Sequence, residues 1–358
     1  MAEVGGNRPT SGPWWRPDRF ALRHDKLMAR SRILAAVRDF FGESGFVEVE
    51  TPVLQVSPGL EPHLRAFGVV PHVPFEGKAQ PRFLHTSPEF AMKKLLAAGL
   101  PRIWQLAHVF RDGERSATHH PEFSMLEWYR AAAGYEMLMA DCEALLRRAQ
   151  RAAGTAVLTW QGATADANQP FERLSVADAF KRRCGIDLLA TAPDPGRPDA
   201  ARLAAAAESV GIAPHPGDDW EALFFRIFLD RIEPHLGISA PTLLYDYPVS
   251  LAALSRPKPD DPRLCERFEL YVCGLELANA FGELTDAQEQ RRRFLADQAK
   301  KQTLYGETYP IDEDFLAALE HGLPDCAGIA LGFDRLVMLL TGAAHIEEVL
   351  WAPVAPPD

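Results

Sequence analysis

Residues 110–129 read FRDGERSATHHPEFSMLEWY. Charged residues, Gly113 and two adjacent histidines mark 111–121 as a polar loop, and 122–130 (EFSMLEWYR) reads as a strand. The preceding IWQLAHVF (103–110) reads as another strand, so the stretch predicts a hairpin with a long loop. Within the second strand Phe123, Met125, Glu127 and Tyr129 share one parity and project from one face. An acid on that face would be costly to bury unpaired, which suits a face turned to a ligand. Arg111 opens the loop and His119-His120 nearly close it, a set that suits a polyphosphate. An edge hairpin with solvated charges would carry the same pattern, and parity alone leaves both readings open.

Upstream, Ile33, Leu34, Val37, Phe40 and Phe41 fall at helical spacing, and the spacing predicts a helix over 25–41 ended by Gly42 and Gly45. FVEVETP (46–52) then reads as a half-buried strand, Val47 and Val49 alternating with Glu48 and Glu50 before Pro52. A strand over 82–86 runs into Ser87-Pro88-Glu89, a helix start with serine as cap, proline first and an acid in the first turn. That helix stops near Gly99.

Downstream, 135–240 reads as a mostly helical insertion, with breaks near 191–198 and 214–218. Strands are expected at 242–248, 267–273 and 275–284, then a charged helix at 285–302. GIALGFDRLVMLL (328–340) reads as a strand turning into a helix, with Arg335 early in that helix where its charge adds to an anion site. Gly328 and Gly332 allow close backbone approach, a weak signal alone. The pattern is α+β, an antiparallel sheet flanked by helices. If residues 272–273 form a two-residue loop, Glu269 and Glu276 lie directly opposite and repel unless a divalent cation joins them. A turn at Cys273-Gly274 would offset them, and two solvated edge acids are the plainer alternative. Asn279, Phe281 and Glu283 share a face, placing Glu283 to pair with a cationic group.

The chain has 358 residues and a formal net charge of −11, which argues against non-specific nucleic-acid binding. Its length suits one large or two ordinary domains. Five cysteines without a C-x-x-C pair fit a reducing cytoplasm better than structural zinc or a disulfide framework. No apolar run is long enough for a transmembrane helix, and no membrane partner is expected. Residues 1–24 read as a flexible arm and the tail APVAPPD as a segment that frays.

In this order, these segments resemble the three signature motifs of class II aminoacyl-tRNA synthetases: 25–52 the first, 110–129 the second, GIALGFDR (328–335) the third. TSPE (86–89), PEFSMLEWY (121–129), ERFELY (266–271) and ELANAFGELTDAQEQRRRF (276–294) are similar to the lysine branch of that class. They are most similar to its short paralogues, which act on elongation factor P. The resemblance covers roughly 25–353 and implies a class II catalytic domain there.

The resemblance implies activation of lysine or (R)-β-lysine by ATP with Mg²⁺, then transfer of the aminoacyl group to a lysine side chain of elongation factor P. It implies a homodimer built through the first motif. Arg111 would hold the ATP α-phosphate and Arg335 the γ-phosphate end, with Glu276 as a third catalytic residue. Phe123 would stack on adenine, with Asp112, Gly113, His120, Leu277 and Gly332 completing the ATP site. Glu269 and Glu276 would ligate Mg²⁺. Ser87, Pro88, Glu89, Tyr129, Asn279 and Ala330 would line the amino-acid pocket, and Glu283 would meet the substrate ammonium.

The chain departs from the pattern at four places. Gly113 stands where the family has a glutamate, with Glu114 next, so the loop is shifted by one or that contact is lost. His120 replaces an asparagine, Ala280 a glycine, and Thr118 an arginine or tyrosine. Ala330 matches the paralogue where the synthetase has glycine, and about two dozen residues precede the first motif, too few for an OB barrel. Both features, with the acidic charge, set tRNA aside as the expected acceptor. The alternatives are a truncated lysyl-tRNA synthetase and an inactive amino-acid-binding paralogue.

Overall fold

The computed structural model describes residues 13–72 and 80–355. Its centre is an eight-stranded sheet. In chain order the strands are β1 (Val47–Glu48), β2 (Arg102–Phe110), β3 (Glu122–Ala131), β4 (Glu172–Ser175), β5 (Thr242–Pro248), β6 (Leu264–Val272), β7 (Leu275–Gly282) and β8 (Cys326–Gly332). Across the sheet they lie β1-β2-β3-β8-β7-β6-β5-β4. The inner pairings are antiparallel, and only the outermost ones, β1 with β2 and β4 with β5, are parallel.

Alternation within the strands sorts the two faces. Leu126, Trp128, Phe268, Leu270, Ala280, Ile329 and Leu331 point into a core made with helices His24–Glu43, Tyr135–Ala153 and Phe333–Thr341. Phe41 stacks on Trp104 there, ring centroids 4.8 Å apart. The other face is left for a cleft, and strand register lays its floor in rows. Glu127 pairs with Ala330, Ala330 with Asn279, and Asn279 with Glu269. One row over, Tyr129, Gly328, Phe281 and Arg267 are aligned in the same way.

Helices Glu89–Ala97, Ala287–Tyr305 and Glu313–Gly322 bury a second cluster around Phe90, Phe294 and Phe315 at one end of the cleft. Residues 176–231 form three helices with their own core against β4 and β5.

Several sequence expectations need correction. Segment 135–240, expected as mostly helical, also contributes β4, which closes the sheet edge, and a hairpin of Leu158–Trp160 with Ala163–Ala165. ERLS (172–175) is too short and polar to announce a strand; pairing with β5 makes it one. The 46–52 segment pairs only over Val47–Glu48, and Val47 is 49% exposed in the single chain, so that strand is not half-buried here. The first helix runs through Gly42 to Glu43, and the chain turns at Gly45 (φ 73°). The arm is ordered from Pro13 onward, with a helical turn at Pro17–Ala21; residues 1–12 lie outside the described residues. The tail is held rather than frayed through Ala355: Val354 N–H donates to His120 Nε2 (3.2 Å), and Arg115 donates to the Val354 and Ala355 carbonyls. Residues 356–358 lie outside the description. Among the described residues, no helix is long and apolar enough to cross a membrane.

Candidate active site

The cleft holds about 370 Å³ over the exposed sheet face. Ser87, Glu89, Arg111, His120, Phe123, Glu276, Leu277, Asn279, Ala330, Gly332 and Arg335, all singled out from sequence, line it. The two arginines occupy one region. The Arg111 guanidinium lies 5.2 Å from the Phe123 ring centroid. Arg335 donates to the Glu276 carbonyl (2.8 Å) and lies 2.8 Å from His119 Nε2. Burial, then the Arg335 charge, lowers the His119 pKa, which favours a neutral ring that accepts from the guanidinium.

The loop bears on one departure. Gly113 takes φ 82°, and Glu114 rather than residue 113 lines the cleft, its Oε1 3.9 Å from Arg111 and its buried Oε2 without a partner. Asp112 and Gly113 do not line it. Asp112 turns away, 3.6 Å from Arg65, and its N–H donates to the Arg65 carbonyl. His120 is buried and holds backbone through both ring nitrogens, Nδ1 to the Glu122 carbonyl (2.5 Å) and Nε2 to Val354.

At the other end, carboxylates converge. Glu127 is fully buried, accepting from the Ser87 hydroxyl (2.6 Å) and the Tyr129 phenol (3.1 Å). Burial, then the nearby Glu89, pushes the Glu127 carboxyl up to about 8. Glu283 is buried behind the cleft wall and pairs with Lys93. Lys93 also bonds Glu89 Oε1 at 2.5 Å. Burial alone would draw the proton off Lys93, but Glu283 and Glu89 together outweigh it and raise its pKa. Tyr129 also stands behind the lining, and Pro88 lines a small adjoining recess. Ser87 acts one place earlier than predicted: the helix begins at Glu89, whose N–H the Ser87 hydroxyl accepts (3.0 Å).

The Glu269–Glu276 geometry differs from the direct opposition considered above. The turn is Cys273-Gly274, both at positive φ (56° and 74°), and a bulge follows. Glu276 therefore pairs with Tyr271, and Glu269 with Asn279. Glu269 lies outside the cleft lining and accepts from Tyr247 (2.6 Å), Tyr271 (2.6 Å) and Arg267 (2.6 Å). Glu276 faces the cleft. Burial, then Glu269, pushes its carboxyl up to about 7.

Sequence reasoning missed Lys93, Arg267, Glu61 and the pair Arg30–Asp334. The spacing of Glu89 and Lys93 was a readable signal, since residues four apart share a helix face. Asp334 bonds Arg30 and accepts the Ser124 N–H (2.7 Å), fastening the first helix to the strand-to-helix turn.

A cleft over an antiparallel sheet, with an arginine on a hairpin loop and another at a strand-to-helix turn, is the architecture of one synthetase class. The chain belongs to the class II tRNA synthetases (D, K and N), whose family model matches residues 19–355. Among curated relatives, it is 40% identical over 324 residues to the elongation factor P (R)-β-lysine ligase of Klebsiella pneumoniae (strain 342), covering 90% of this chain and 93% of that one. The ligase of the same name from Histophilus somni (strain 2336) is 39% identical over 336 residues, 94% and 96% of the two chains.

Proposed function

We propose that this chain activates lysine or (R)-β-lysine with ATP as an aminoacyl-adenylate and transfers it to a lysine side chain of elongation factor P. The carrying observation is the polarity of the cleft: Arg111 and Arg335 stand toward one end, and Glu89, with Glu283 behind it, toward the other. Such a cleft suits an anionic triphosphate joined to a cationic amino acid. The names of the relatives supply the acceptor.

In this reading Phe123 and Glu114 address the adenine, with Leu277 and Gly332 against the nucleotide. Arg111 neutralises the α-phosphate as the lysine carboxylate attacks in line and pyrophosphate departs; Arg335 holds the γ-phosphate end. Ser87, Glu89, Asn279 and Ala330 fix the amino acid, and Glu283 acts on its ammonium through the Lys93–Glu89 cluster. Catalysis is positioning and charge stabilisation. Of the two carboxylates expected to hold a divalent cation, Glu276 alone faces the cleft; Glu269 lies outside the lining, with its oxygens taken by Tyr247, Tyr271 and Arg267. Mg²⁺ held by Glu276 together with phosphate oxygens of the nucleotide would neutralise phosphate charge when bound, and Glu269 would act on that carboxylate only through its charge. Exposed Val47, Leu54 and Val56 support a homodimer through residues 28–60.

The test combines the protein, ATP, Mg²⁺, both lysine isomers, unmodified elongation factor P and lysine tRNA, and reads the mass of each acceptor. A gain on elongation factor P alone is expected. Charging of tRNA alone would refute the assignment.

A further inference from the structure

A second cavity of about 170 Å³ adjoins the cleft. Glu61, Ala253 and Arg267 line both spaces, so they form the wall between them. Its apolar lining includes Phe90, Phe225 and Leu254; its charged lining includes Asp297, Glu221 and Lys300. These charges are not equivalent. Glu221 and Lys300 pair with each other, and Arg267 is taken by Glu269. Glu61 and Asp297 have no cationic partner within 4 Å among the described residues, and Glu61 Oε2 is buried with no hydrogen bond at all. The Glu61 segment is fixed in place, since Lys301 donates to the carbonyls of Pro62 (3.0 Å) and Leu64 (2.6 Å). That oxygen stands beside Gly59, where a Cβ would be 2.5 Å away, on the side of the small recess that Gly59 and Thr86 line, while Glu61 as a whole borders the recess, the cleft and the side cavity.

A cavity with an apolar lining and two carboxylates that lack a close cationic partner is complementary to an alkyl chain tipped with an ammonium group. We propose that this side cavity is the port for the acceptor lysine side chain of the protein substrate, its stem along Phe90, Phe225 and Leu254 and its ammonium seated at Glu61 and Asp297. The inference rests on the ligase reading and locates its second substrate. In the transfer step the ammonium yields a proton to Glu61. The nitrogen lone pair then forms a bond to the adenylate carbonyl carbon, and the carbonyl–phosphate C–O bond breaks with its electron pair leaving on AMP. The second nitrogen proton passes to water as the amide forms. Burial, and then Glu89, raises the Glu61 pKa, which suits a proton acceptor.

Asp297→Asn removes charge from the port, and Ser250→Trp narrows it; both positions line only the side cavity. Lysine-dependent ATP–pyrophosphate exchange reports the first half-reaction and the fold, and mass gain on elongation factor P reports transfer. Exchange within about twofold of the parent, with transfer slowed at least about tenfold in both variants, is expected. Unchanged transfer in either variant, or parallel loss of exchange and transfer, would overturn the port. Absence of exchange or of transfer in the parent enzyme would overturn the ligase reading and the port with it.

Discussion

Lys93 Nζ lies 2.5 Å from Glu283 Oε2, so an ammonium group of the chain itself meets the carboxylate that the sequence assigned to substrate. Glu89 is the second partner of that lysine. The amino-acid end of the cleft thus sets Glu89 and Glu283 around one cation, beside a Glu127 whose carboxyl, pushed up to about 8, stays largely protonated at neutral pH, which leaves one negative charge for a substrate amine. Replacing Glu283 by Gln keeps the shape and removes that charge. A charge-assisted hydrogen bond contributes about 1.5–3 kcal/mol, so the lysine KM in pyrophosphate exchange should rise at least about tenfold. The ATP KM should move far less, and equal increases for both substrates would contradict the assignment.

Gly328→Ala tests how tightly this end is built. A Cβ at 328 would stand 2.1 Å from Tyr129 Cε1 and 2.4 Å from Glu283 Oε1, so both side chains must move. A displacement of about 1 Å in a positioning group costs roughly a hundredfold in rate. Exchange should fall by that order while circular dichroism still shows the folded chain. Exchange at the parent rate would show that neither side chain positions lysine.

Glu127 links this end of the site to pH. Its folded pKa of about 8 lies above the unfolded value, so the unfolded chain binds fewer protons between roughly pH 4.5 and 8. Its contribution to stability is present below the unfolded pKa and is lost as pH rises toward 8, by up to about 1.4 kcal/mol per pH unit. Glu127→Gln should remove this slope. Unfolding curves at pH 5 to 8 are the measurement, and parallel trends in parent and variant would refute the assignment.

Arg30→Met leaves Asp334 buried without its cation. Breaking one side of such a pair costs about 3–5 kcal/mol. The urea midpoint should drop accordingly. A change below about 1 kcal/mol would mean the pair contributes little.

Much of the molecule was legible in the sequence because strand alternation is a local signal. Phe123, Met125, Glu127 and Tyr129 declare one face of β3 without reference to anything distant. The lower-level errors came where distant pairing decides. The offset of Glu269 from Glu276, one of two geometries the sequence left open, is decided by a bulge after a turn that puts Cys273 at φ 56°, a conformation a non-glycine residue seldom announces. Lys93 showed half its role through Glu89, four residues away, but its contact with Glu283 crosses the fold. Arg30 and Asp334 lie in two segments with separate motif readings, and only the folded chain brings them together.

The tail contact at His120 has a practical consequence. Because that ring holds Glu122 on one side and Val354 on the other, and Arg115 grips the next two carbonyls, the last described residues brace the loop that carries Arg111 and Glu114. The carboxyl-terminal segment thereby becomes part of the nucleotide site's support, and comparing the ATP KM of the chain with a purification handle at either end would read how much the loop depends on it.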